Sequence, residues 1–197
     1  MIVTAHQANY LPGASVISKI QQADAVIWLD TVQYTHGGYS NRNRMPDGSW
    51  LTVPVVRETD MDMFNKVRIS DQPSWRQKHT RTLTQHYGAG DEVMDIVMEI
   101  SKPYELLIGL NLACLRVLLA DTPATWHFQS HLVGGTCRSA SERLARMVRE
   151  IGGTVYLSGP SGRGYLDETQ FADLDIEVRY FDWTHSQNPC AVGLVAA

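Results

Sequence analysis

Short apolar runs along this chain alternate with stretches whose apolar residues recur at helical spacing. Ile2 to Ala5 is apolar and closes on His6-Gln7, as a buried strand does when it leaves a sheet. The loop Ala8 to Gly13 follows, then Val16, Ile17 and Ile20 at helical spacing, then the apolar run Ala25 to Asp30. Strand, helix and strand within so short a span make a βαβ unit, which implies a parallel sheet. Further strands are expected at Trp50 to Val56, with Pro54 marking an edge or bulge, and at Lys66 to Ile69, which could pair with it. Thr125 to Phe128, Thr154 to Leu157 and Ile176 to Phe181 complete the strand set. Helices are expected from Ser74 (preceded by Pro73) to His86, from Asp91 to Ser101, from Pro103 to Ala120 and from Ser139 to Ile151. Leu106, Leu107, Leu110 and Leu118 are the core candidates of the third of these. The fold class is therefore α/β, three-layered around a mainly parallel sheet, with a helical insertion around residues 73–121. No repeat or linker divides residues 1–197, so a single domain is expected.

Composition narrows the function without naming it. A chain of 197 residues with 44% hydrophobic and 19% charged residues can bury a sizeable core. A formal net charge of −4 excludes a globally basic nucleic-acid binder but not a local basic surface. Cys114, Cys137 and Cys190 lack metal-ligand spacing, so no metal or other cofactor is expected. No apolar stretch is long enough to span a bilayer, and a cytoplasmic protein without membrane partners is expected.

The chemistry-bearing residues cluster at strand ends and in polar loops. Ligands of open α/β sheets sit beyond the carboxyl ends of the strands, which is where His6, Gln7 and Asp30 fall. Asp30 is the better general-base candidate than Asp24 at the other end of its strand. Asn41-Arg42-Asn43-Arg44 follows an aromatic, Gly-rich run; if extended, its arginines share one face and its asparagines the other. Such a run is either a solvated turn or a clamp for phosphate or carboxylate. Ser158-Gly-Pro-Ser-Gly-Arg-Gly164 leaves a strand and is either an anion cradle or a tight turn built from Gly and Pro. Arg76, Lys78, His79, Arg81 and His86 give one helix a basic face, suited to a polyphosphate or simply solvated. His185 stands in the polar tail Thr184 to Gln187, and His127 and His131 show no zinc pattern.

The elements His6-Gln7-Ala8-Asn9-Tyr10-Leu11-Pro12, Lys19-Ile20, Asp24, Leu29 to Gln33, Asn41 to Arg44, Leu51 to Pro54 and Leu157 to Gly162 together resemble the WbqC-like family. The resemblance runs in order from the N-terminus to about residue 182. It implies transfer of an amino acid, expected to be glycine, onto an activated acceptor. Family members occur in surface-polysaccharide gene clusters, and similar phage proteins are associated with hypermodified thymidine. Gly13 stands where an aromatic is usual, His36 to Tyr39 replace a more basic segment, and the tail after His185 lacks the usual Pro- and Tyr-rich ending.

The expected acceptor is double-stranded DNA carrying a phosphorylated hydroxymethyluracil, and the expected co-substrate is free glycine. The amine attacks the exocyclic methylene and phosphate or pyrophosphate leaves. Asp30 or His6 would take the proton, with Gln7 beside them. Arg42, Arg44 and Lys19 would meet the leaving phosphate, and the Ser158 to Arg163 loop, including Ser161, the glycine carboxylate. Tyr10 or Tyr39 would stack on a flipped base, and Arg76, Lys78, His79 and Arg81 would hold the DNA backbone. Asn9, Gln33, Asn41 and Asn43 are further substrate-binding candidates from the same motifs. Two alternatives stand: glycine transfer to a sugar or nucleotide-sugar, and a nucleic-acid-binding module without catalysis.

Overall fold

A computed structural model describes residues 1–56, 63–72, 74–132, 136–185 and 188–196 of the chain. Pro73, expected ahead of a helix, and Ser186 and Gln187 of the polar tail lie outside the described residues. The chain groups into two compact units. One comprises Met1–His6, Ser18–Leu29 and Thr122–Ser186, the other Gln7–Ile17, Asp30–Asp121 and Gln187–Ala197.

The first unit holds a five-stranded sheet of β1 (Ile2–His6), β2 (Ala25–Trp28), β5 (Thr125–Phe128), β6 (Val155–Ser158) and β7 (Glu177–Tyr180). Its order is β5-β2-β1-β6-β7 and every pairing is parallel. Such strands must be buried on both faces, and the four residues of β2 are. Right-handed crossovers fix the helix positions. The connection from β1 to β2 through α1 (Ala14–Gln21) runs one way along the sheet, and that from β6 to β7 through the short α6 (Thr169–Ala172) runs the other. Helices therefore cover opposite faces, which is the three-layer α/β class. On one face Val3, Ala5, Ala25, Ile27 and Tyr156 pack with Ala145, Met147 and Val148 of α5 (Ala140–Glu150) and with Phe171 of α6. Tyr156 stacks on Phe171 at 5.0 Å between ring centroids. α5 starts where expected, its Ser139 side chain accepting from the Glu142 N–H, and stops at Gly152, whose φ of 82° suits glycine. By strand alternation Thr4 and His6 point to the opposite face. Thr4 Oγ1 donates to the Leu157 carbonyl at 2.8 Å and ties β1 to β6.

The second unit contains the hairpin β3 (Arg42–Arg44) and β4 (Trp50–Thr52), then α2 (Ser74–Tyr87), α3 (Asp91–Ser101), α4 (Leu107–Leu118) and the short α7 (Val192–Val195). The helical insertion is thus present, with one correction. Pro103 does not open α4: Leu106 is extended and bridges Arg68, with Ile69 N–H donating to Glu105 O and Leu107 N–H to Val67 O. The prolyl ring and these bonds hold the backbone out of helix until Leu107. Leu106 is accordingly exposed, while Leu107, Leu110 and Leu118 are buried. Lys66 to Ile69 forms no full strand; Phe64–Lys66 is a 3-10 turn, and Ile69 meets Val55 at a single bridge. The strand expected at Trp50 to Val56 ends at Thr52, short of Pro54. No helix among the described residues is long and apolar enough to cross a membrane.

Candidate functional site

In a doubly wound sheet the ligand crevice opens where two neighbouring strands send their connections in opposite directions. Here those strands are β1 and β6, which end at His6 and Ser158. His6 is half-buried at the end of β1. Lys19, on α1, is 5% exposed, and its Nζ donates to the Ala5 carbonyl at 3.3 Å. Burial lowers its pKa to about 8.

Ser158 and the turn after it take the tight-turn reading. Ser158 Oγ is buried and donates to the Gly159 carbonyl at 3.1 Å. The Gly162 N–H donates to Gly159 O, and those of Tyr165 and Leu166 to Gly162 O, which closes the turn on itself. A Cβ on Gly162 would lie 2.1 Å from Ser158 Oγ, which is why glycine stands there. Arg163 lies 4.1 Å over the Tyr180 ring and 3.8 Å from an Asp182 oxygen. Ser161 is exposed. Strand alternation puts the Ser158 side chain on the α5 face with Tyr156, and His6 on the other face.

In the second unit the Asn41 to Arg44 run becomes a strand whose two faces do different work. Asn41 Nδ2 donates to Val53 O at 2.9 Å, and Asn43 Nδ2 donates to Leu11 O. Both asparagines are buried, so their expected contact with substrate is corrected to a scaffolding role. What they hold is informative. Leu11 is fully buried with φ of 43°, a left-handed conformation costly for a branched side chain, and Cys190 Sγ also lies within reach of its carbonyl. Gln7 Oε1 accepts from Ser40 Oγ at 3.3 Å, and Asn111 Nδ2 donates to both Ala8 O and Ser40 O at 2.6 and 2.7 Å. Asn111 escaped sequence reasoning; its only signal is one amide within the apolar helix LIGLNLACLRVL. Replacing Asn43 with alanine leaves the buried Leu11 carbonyl only the weak Cys190 thiol donor, and chemical denaturation is expected to show a loss of about 1–3 kcal/mol.

The outward face of the hairpin carries the exposed chemistry. The Arg42 guanidinium lies 4.2 Å and that of Arg44 5.7 Å from the Trp50 ring centroid. Tyr39, 56% exposed, approaches the same indole at 5.9 Å. Arg42 donates to the Gly37 and Gly38 carbonyls and Arg44 to Gly48 O, which holds the two cations in place. Trp50 was also missed from sequence. It reads as a strand residue, but its register opposite Arg44 makes it the platform.

Tyr10 cannot stack on a base. It is fully buried, and its hydroxyl pairs with His79 Nδ1 at 2.8 Å. His79 Nε2 lies 3.1 Å from Thr52 O, a carbonyl that only accepts, so Nε2 carries the proton and Nδ1 accepts from Tyr10. Burial lowers the His79 pKa to about 3. A buried neutral imidazole cannot bind a DNA backbone, which removes His79 from the basic face. Arg76 lies over Trp75 and donates to Lys102 O at 3.2 Å. Lys78 and Arg81 remain exposed. Asp30 is buried, Gln33 is exposed and Asn9 is half-buried. The described residues contain no grouping of three His, Cys, Asp or Glu suited to a metal.

The chain thus joins a doubly wound α/β sheet to a hairpin bearing a guanidinium–indole platform. The chain belongs to the WbqC-like protein family, whose model matches residues 7–192. His6 lies one residue ahead of that span. Uncharacterized protein Rv1507c of Mycobacterium tuberculosis is 29% identical over 185 residues, covering 90% of this chain and 80% of the relative. No solved structure matches the chain significantly.

Proposed function

We propose that this protein is an amino-acid transferase that joins the amine of glycine to a phosphate-activated carbon of a nucleotide-bearing acceptor. Membership of the WbqC-like family, for which transferase activity is proposed, supports the reaction class. The observation that carries the acceptor class is the exposed hairpin face, where Arg42 and Arg44 flank Trp50 and Tyr39 adjoins it. Aromatic faces stack on nucleobases, and guanidiniums pair with phosphate oxygens. In the reaction the amine lone pair forms the N–C bond as the C–O bond breaks. The phosphate leaves with that electron pair, and the amine proton passes to His6.

The acceptor placed first is 5-phosphomethyluracil in DNA, with phosphate or pyrophosphate leaving. A nucleotide-sugar is the second reading, and a specific observation favours it. With His79 buried and Arg76 bonded to Lys102, the basic helix offers a duplex only Lys78 and Arg81 of its four expected contacts. Mass spectrometry of phosphomethyluracil DNA and of nucleotide-sugars, each incubated with the protein and glycine, tests both. A glycine-sized mass gain with loss of phosphate is expected on one acceptor class. No adduct on either class, with every common amino acid tried, would sink the transferase reading.

A further inference from the structure

Lys19 is a charged group that is buried, among the described residues, without a counter-charge. Its ammonium has three donors, yet among the described residues its acceptor is a single carbonyl, Ala5 O, at a long 3.3 Å. It is 5% exposed, and burial lowers its pKa with no carboxylate of the described residues contributing. An ammonium is expensive to bury unless something pairs with it, so its retention needs a reason. Its position supplies one. Lys19 reaches the carbonyl of Ala5, the residue before His6, at the end of the strand beside the topological switch. By alternation His6 points to the face covered by α1, the face on which Lys19 sits. Ser158, which opens the turn expected to bind carboxylate, points to the other face, and the Gly162 N–H of that turn is bonded to Gly159 O.

We propose that Lys19 is the seat of the amino-acid donor: its ammonium pairs with the α-carboxylate of glycine, which places the amine toward His6. The charge count selects a carboxylate over phosphate. One uncompensated cation is neutralised by one monoanion, whereas a phosphate dianion would leave a negative charge buried in its turn. Recognition of the carboxylate also separates an amino acid from a simple amine. This proposal rests on the transferase reading above for the fate of the bound glycine, but binding itself needs no acceptor.

The test is equilibrium binding in the absence of acceptor. Lys66, Lys78 and Lys102 are exposed, so the signal of buried Lys19 is separable in a protein carrying 13C-labelled lysine. Glycine and acetate are expected to shift the Lys19 13Cε resonance, and glycinamide, which lacks the carboxylate, is expected to leave it in place. Lys19→Met is expected to lower glycine affinity by roughly 10–100-fold, the range for one charge-assisted pair. Its Tm is expected to be no lower than that of the ligand-free parent, because an unpaired buried charge is gone. A Lys19 resonance indifferent to glycine overturns the proposal, as does glycinamide acting as well as glycine. Inorganic phosphate shifting Lys19 more strongly than acetate overturns the carboxylate assignment. Glycine binding at Lys19 without adduct on any acceptor would sink the transferase reading alone, and an adduct made equally well by Lys19→Met would sink this proposal alone.

Discussion

Between pH 6.5 and pH 3 the protein is expected to lose of order 4 kcal/mol of stability through His79 alone. The imidazole is neutral in the folded state, with its pKa lowered to about 3 by burial, and takes up a proton near 6.5 once unfolded. The unfolded state therefore binds more protons across that window, and stability falls as pH falls. The contribution is complete above pH 6.5 and gone at about pH 3. His79→Leu removes the titration but also strands the buried Tyr10 hydroxyl, so at pH 7 the variant is expected to be about 2–4 kcal/mol less stable. Urea unfolding of both proteins from pH 3 to pH 7 isolates the effect as a difference, in which the other titrating groups cancel. A wild-type advantage that stays constant across the window would show that His79 is not buried as a neutral ring.

Replacing His6 with alanine is expected to lower kcat for transfer by roughly 10²–10⁴-fold, the usual worth of a positioned general base. The half-buried ring sits at the switch point of the sheet, and the loss in kcat is expected to exceed by far any loss in glycine affinity. That split distinguishes a proton acceptor from a structural residue, because only the former leaves binding intact. His6→Gln keeps hydrogen-bonding capacity but not basicity and is expected to be nearly as inactive. Asp30 was the first base candidate from sequence. It is buried, with its backbone carbonyl accepting from Asn65 N–H, and Asp30→Asn is expected to cost turnover less than His6→Ala. Equal turnover in His6→Ala and wild type removes His6 from the reaction.

Elements governed by local pattern were legible in the chain. The apolar run of β1, the helical spacing of α1 and the apolar run of β2 required a parallel pairing, and Val3 does lie opposite Ala25 in a parallel ladder. α3 spans Asp91–Ser101 as read from its periodicity. Where pattern misled, a non-local contact decided. Residues 105–107 pair with residues 67–69 instead of extending α4, a preference that helical spacing cannot display. The basic stripe of α2 looked solvated on both its lysine and histidine positions, yet Tyr10 and Thr52 draw His79 inside.

The Asn41 to Arg44 run shows the same division at one site. Its alternation already placed arginines and asparagines on opposite faces, because side chains in an extended chain have a period of two. Which face would be buried was not written there. Tertiary structure turned the asparagines inward, to Val53 and to the strained Leu11 carbonyl, and set the arginines outward on Trp50. In the same way the chain declared a lysine within the first helix, but not that it would be buried with a single carbonyl as its acceptor among the described residues. Periodicity is a property of neighbouring residues and survives in the sequence. Burial and pairing depend on residues far apart in the chain, and only the folded arrangement brings those to bear.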